Sequence, residues 1–326
     1  MLHTKHSGIA FITMTFTQLI LSYIVLLAFN NQISDNPTAI VILYACNSAS
    51  MLLGAFLSTI GTKYNPFKDR RKASALQFLL TAAIVIGVIF IGLALTNFFV
   101  AGLYATGYRY KGTSLDYTTP FGIVTSILLM CALAPVCEEI LMRGTILDGL
   151  KESGERKAIL LTGLFFMLMH ESPMQTVHQF ILGATLAYIV IVTRSFWLAI
   201  FGHVLNNVIT LGTVIIEANF TEAGVSDVVV LNLTNVILLI GLLIAGCVIV
   251  YFAVRALLSV TAKKDMGENA IIIPRRPTLW LNDKFLACYT GRKEEKKYLD
   301  MFVYVAIMVG VGLWIYSLVT GYLPNA

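Results

Sequence analysis

Charge is what this chain has least of. Only 13% of its 326 residues are Asp, Glu, Lys or Arg, against roughly a quarter in an ordinary soluble domain. Hydrophobic residues reach 57%, more than a soluble fold of this length can hide, because its surface has to be covered by something polar. A cytosolic enzyme and a disordered chain are thereby excluded. Cysteine is also scarce: five residues, an odd number with no C-x-x-C spacing. Cys46, Cys131, Cys137 and Cys247 fall in apolar runs and Cys288 in a basic loop, which reads as separate thiols, not a disulfide scaffold or a zinc ribbon. No H-E-x-x-H is present, since His170-Glu171 is followed by Met174 where the second His would stand. There is no internal repeat and no low-complexity tract.

What is abundant is long apolar runs. A hydrocarbon core of ~30 Å takes about 20 mostly apolar residues per helix. On that measure the sequence predicts an all-α polytopic transmembrane bundle of about nine spans: Ile9–Phe29, Thr38–Ile60, Leu76–Leu103, Phe121–Leu150, Ala158–His170, Phe180–Thr193, Phe196–Ile216, Val230–Val254 and Tyr298–Leu318. The first run is too long for a signal-peptide core and has no A-x-A site after it, so it reads as a retained anchor. Three regions follow: N-terminal helices over 1–117, a central helix core over 118–217, and C-terminal helices over 218–326 with a basic loop at 255–297. In that loop Trp280, Leu281, Phe285 and Leu286 recur at near-helical spacing among cations. The loop reads equally as an amphipathic piece on the inner leaflet or as a solvated linker.

With the N-terminus placed inside, 21 of the 23 Lys and Arg fall in inside segments, and only Arg109 and Lys111 lie outside. Positive charge accumulates on the cytoplasmic side. The basic excess is therefore explained by topology, with no nucleic-acid partner. The expectation is a multi-pass protein of the cell membrane with a cytoplasmic N-terminus and the lipid bilayer as its surroundings.

Ionisable groups at bilayer depth cost at least ~2.5 kcal/mol each and mark function by default. They concentrate in the central region: Glu138, Glu139 and Arg143, then His170, then His203 with Asn207. Counted from the inner ends of their helices at 1.5 Å per residue, Glu138, His170 and His203 lie at depths of roughly 18, 20 and 14 Å. Three separate helices bring an acid and two imidazoles to one level. Glu139 and Arg143 are four apart, share a face and can neutralise each other. Glu138 is rotated by ~100° and left free. Pro135 removes a helix hydrogen bond beside it, which kinks the helix and can open a wet cavity. His203 and Asn207 share a face, and Phe166 packs beneath His170. By the same reading His178 and Glu171 are solvated near the outer loop, and Asn47, Ser48 and Ser50 are small-residue packing.

Glu138-Glu139-x-x-x-Arg143, Phe166-x-x-x-His170 and His203-x-x-x-Asn207, in this order, resemble the CPBP family: the CAAX-prenyl endopeptidases of the Ras-converting type and bacterial bacteriocin-processing or immunity relatives. Phe180, Gly183, Thr193, Ser195, Trp197 and Ile200 also match its pattern, while Ala187 departs from a frequent Gly. The resemblance covers about residues 121–207 and implies an intramembrane endopeptidase acting on a membrane-associated peptide or protein. It implies that Glu138 and His170 activate water and that His203 and Asn207 hold the oxyanion, while the four-residue spacing of Glu139 and Arg143 reads as structural support. The expectation is a metal-free site, with zinc bound by Glu138, His170 and His203 as the runner-up. Two other classes fit the composition: an ion-coupled transporter, for which repeats are lacking, and a non-proteolytic scaffold or immunity protein.

Overall fold

The computed structural model describes residues 2–30, 33, 36–67, 70–109, 115–220, 231–266, 273–274, 277–290 and 298–323. Among these residues the fold is all-α, with ten helices and no strand. They are α1 (Thr4–Ala28), α2 (Pro37–Ser58), α3 (Ala75–Ala105), α4 (Pro120–Ser153), α5 (Glu155–Leu168), α6 (Thr176–Thr193), α7 (Phe196–Phe220), α8 (Leu233–Met266), α9 (Asp283–Thr290) and α10 (Met301–Thr320). Eight are long and apolar enough to cross a membrane, and the chain is a multi-pass membrane protein. The ninth expected span, α5, has 14 residues, about 21 Å of helix. It is too short to cross alone and packs as a hairpin against α6, which starts at Thr176 rather than Phe180.

The segments that the charge pattern assigns to one side are tied together at one end of the bundle. His3 Nδ1 lies 2.9 Å from Glu152, and the Asp300 amide donates to Thr4 Oγ1 at 3.3 Å. Arg71 N–H donates to the Arg194 carbonyl at 2.9 Å, and Gln77 Nε2 to Thr261 Oγ1 at 3.0 Å. At the opposite end Arg109 N–H donates to the Gly321 carbonyl at 2.8 Å. Helices cross by close approach of small residues, as membrane helices do. A Cβ added to Gly246 of α8 would lie 2.7 Å from the Gly87 carbonyl of α3.

The 255–297 region differs from both readings of it. Helix α8 runs through Arg255 as far as Met266. Trp280, Phe285 and Leu286 are buried in the hydrophobic core, where α9 packs on the basic ends of α5 and α6. Their apolar faces thus meet protein rather than lipid. Residues 267–272 and 291–297 lie outside the described residues.

Helix α4 is continuous but not uniform. It is π-helical over Ile127–Leu133 and again over Ile140–Ile146, on either side of a short α segment that carries Pro135, Glu138 and Glu139. Widened turns of this kind gather at functional sites. Here they absorb the proline.

Candidate active site

Four helical stripes meet at one cavity of about 480 Å³. Met130, Ala134 and Glu138 come from α4; His203, Asn206, Asn207 and Thr210 from α7. Met174 and Gln175 stand in the 3-10 turn that leads into α6, His178 and Gln179 in its first turn, and Tyr44, Asn47, Ser48 and Met51 on α2. Each set follows the three-and-four spacing of a single helix face. His170 reaches the same space from the turn after α5.

Glu139 and Arg143 lie behind the cavity wall and are fully buried. Arg143 Nη1 donates to Glu139 Oε1 at 2.7 Å. Arg143 Nη2 donates to the Gly183 carbonyl at 2.9 Å, tying α4 to α6, and its guanidinium lies 4.9 Å from the Phe166 ring centroid. The same Glu139 oxygen lies 2.8 Å from His203 Nδ1. A carboxylate opposite Nδ1 draws the proton to that nitrogen and leaves Nε2 for the cavity. His203 Nε2 stands 3.7 Å from Glu138 Oε2, a buried oxygen with no hydrogen-bond partner. Glu139 therefore joins the arginine to the imidazole, a link the sequence reading did not contain.

His170 is oriented in the same way. Its Nδ1 lies 2.7 Å from the Phe166 carbonyl. A carbonyl only accepts, so Nδ1 carries the hydrogen and Nε2 is the free atom. The Phe166 ring stands 4.9 Å from His170 and 5.4 Å from His203, so one aromatic spaces both imidazoles.

Asn207 is placed by Pro135. In the π-helical stretch the Ala134 N–H bonds the Leu129 carbonyl, five residues back. In that register Met130 O would await the N–H of residue 135, and proline has none. Asn207 Nδ2 supplies the missing donor at 2.7 Å. Asn206 Nδ2 donates to Asn207 Oδ1 at 3.1 Å, and His178 Nε2 lies 3.0 Å from Asn206 Oδ1. His178 is thus not a solvated loop residue but the outer member of an amide chain that ends on Met130. Asn47 and Ser48 line the cavity instead of serving helix packing alone; Ser50, fully buried, donates to the Asn47 carbonyl at 2.6 Å. The stripe 44, 47, 48, 51 was the signal available in the sequence. Nothing local marked Asn206 above its neighbour.

Glu138, His170 and His203 would be the ligands of a zinc site. Each ring donates through Nδ1 and offers Nε2, as zinc-bound histidines do. Yet among the described residues no three His, Cys, Asp or Glu gather at metal-holding spacing.

No curated protein and no solved structure matches the chain. A family model does: residues 120–209, the stretch from the start of α4 to the cavity-lining part of α7, match type II CAAX prenyl endopeptidase, Rce1-like. Over that segment the chain is similar to the CAAX protease family.

Proposed function

We propose that this protein is an intramembrane endopeptidase that hydrolyses a peptide bond of a membrane-associated protein or peptide with a glutamate-activated water and no metal. The observation that carries this reading is the buried, unpartnered Glu138 oxygen, which shares its cavity with two imidazoles that each turn a free Nε2 inward. Glu138 accepts a proton from water while His170 Nε2 holds the second hydrogen, so the oxygen lone pair is aimed at a carbonyl carbon. The carbonyl oxygen takes the negative charge. His203 Nε2, protonated, and the second Asn207 amide hydrogen donate to it. Glu138 then returns its proton to the departing amine, and the C–N bond breaks. Glu139 and Arg143 hold His203 in register throughout.

In this reading the protein resides in the cell membrane with the basic end of the bundle inside. The test is reconstitution in proteoliposomes with a panel of randomised hydrophobic peptides, with products mapped by mass spectrometry. Wild type should yield defined new termini, the Glu138→Gln protein none, and a chelator should change nothing. Cleavage by Glu138→Gln at the wild-type rate would overturn the base assignment. Loss of activity on chelation with recovery on adding zinc would move the mechanism to a metal-bound water.

A further inference from the structure

Six buried oxygens around the cavity lack any hydrogen-bond partner: Gln18 Oε1, Asn47 Oδ1, Thr96 Oγ1, Glu138 Oε2, Ser172 Oγ and Gln179 Oε1. Leaving one polar group unpaired away from water costs on the order of 1–3 kcal/mol in proteins. Six such oxygens on one cavity form a wall that can accept hydrogen bonds from a polar occupant. Three of them, on Gln18, Asn47 and Thr96, belong to α1, α2 and α3. Those helices lie outside the segment that matches the family model, so the catalytic core does not account for them.

The chemistry of the wall narrows the partner. Among the described residues no Lys or Arg lines the cavity, so these residues do not fit a phosphate or an anionic lipid headgroup. Carboxamides and hydroxyls both donate and accept, and side-chain amides match the alternating N–H and C=O of a main chain. Met51, Met130, Met169 and Met174 supply the apolar lining. Methionine is unbranched and adapts to differently shaped neighbours. The cavity volume of about 480 Å³ lies within the roughly 300–1,000 Å³ of ligand pockets.

We infer that Gln18, Asn47 and Thr96 form a main-chain-binding subsite that receives an unwound stretch of a hydrophobic peptide and tolerates varied side chains. This rests on the endopeptidase reading above and names its substrate class. A membrane helix keeps its N–H and C=O groups bonded internally and must open before a peptide bond can be attacked. Each group so freed costs several kcal/mol in hydrocarbon unless protein satisfies it. The polar wall facing Glu138 satisfies it.

The test uses the same randomised hydrophobic peptides in proteoliposomes. Asn47→Leu and Gln18→Met keep the reach of the side chain and remove the amide. Each should raise KM by about tenfold, the loss of one well-made hydrogen bond, with kcat within about twofold. The best-cleaved peptide is then resynthesised with single N-methylated peptide bonds. One such bond should weaken cleavage by wild type yet add no further loss to the variant whose amide it met. If wild type cleaves and both variants keep its KM, the subsite is wrong, and water alone fills the wall. Binding is read separately with a fluorescent peptide on the Glu138→Gln protein with and without Asn47→Leu. A tenfold loss of affinity there supports the subsite even when no peptide is cleaved, and equal affinity overturns it. Asn47→Ser replaces Asn47→Leu if the leucine variant does not fold.

Discussion

At the scale of single residues, adjacent carboxylates have opposite surroundings. Glu139 is fully buried and holds Arg143 and His203 with one oxygen. Glu138, one position earlier, stands on the cavity; each of the two carboxylates keeps one oxygen without a hydrogen-bond partner, but only that of Glu138 belongs to a cavity-lining residue. Removing Arg143 strands a buried carboxylate and frees the Gly183 carbonyl, and breaking such a pair costs roughly 3–5 kcal/mol. Arg143→Ala is therefore expected to lower the yield of folded protein far more than Glu138→Gln, as read by monodisperse protein on gel filtration. Equal yields would refute the division of roles. Glu138→Gln removes one buried charge and keeps the shape. It should melt at or above the wild-type temperature while cleaving nothing. Asn207→Ala should be milder, since losing one oxyanion donor typically costs ~10²–10³ in rate and leaves the base in place. A single-turnover assay normalised to folded protein separates these two variants.

At the scale of elements, the site depends on an irregular helix. The sequence predicted a kink at Pro135. The structure instead places π-helical turns on both sides of the motif, and the proline's missing N–H reappears as the Met130 carbonyl that Asn207 caps. Pro135→Ala restores an amide at that position, so Met130 O gains an intrahelical donor and Asn207 loses its anchor. The expected outcome is a protein as stable as wild type or more so, with cleavage down by about tenfold or more. A variant that loses stability and keeps full activity would show that the proline serves packing alone. The α5–α6 hairpin is the second element of consequence. A Cβ on Gly183 would lie 2.7 Å from the Phe166 Cβ. Gly183→Ala should thus disturb Phe166, Arg143 and both imidazoles together, and cost yield and activity alike.

At the scale of the whole molecule, the start of α1 and the end of α10 lie at opposite ends of the bundle. Thr4 is bonded to Asp300 at the basic end, and Gly321 to Arg109 at the other. Counting α5 as a span or not does not alter this. Hairpin partners α5 and α6 leave and return to the basic end, near Asp283 and Arg71 respectively, and so are counted together. The positive-inside bias then predicts a cytoplasmic basic end. Cys288, exposed on α9 at that end, should react with an impermeant maleimide only in inside-out vesicles, and a reporter fused after Ala326 should be active outside the cytoplasm. Labelling of Cys288 in intact cells would reverse the orientation.

Span positions, the segregation of charge and the level shared by Glu138, His170 and His203 were legible in the sequence, because each follows from a local period or a count along one helix. Even the Glu139–Arg143 pair needs only the four-residue spacing. What the sequence did not determine involves residues far apart in the chain. Gln18, Asn47 and Thr96 look like ordinary polar residues of apolar helices until α1, α2 and α3 close over Glu138. His178 reads as a loop residue until Asn206, 28 positions later, accepts its bond. The amphipathic spacing of Phe285 and Leu286 was visible, but not that protein rather than lipid would cover it. A periodic pattern tells which face of a helix is apolar or polar. Only the packing of other helices against that face decides whether it meets lipid, a neighbour or an enclosed cavity.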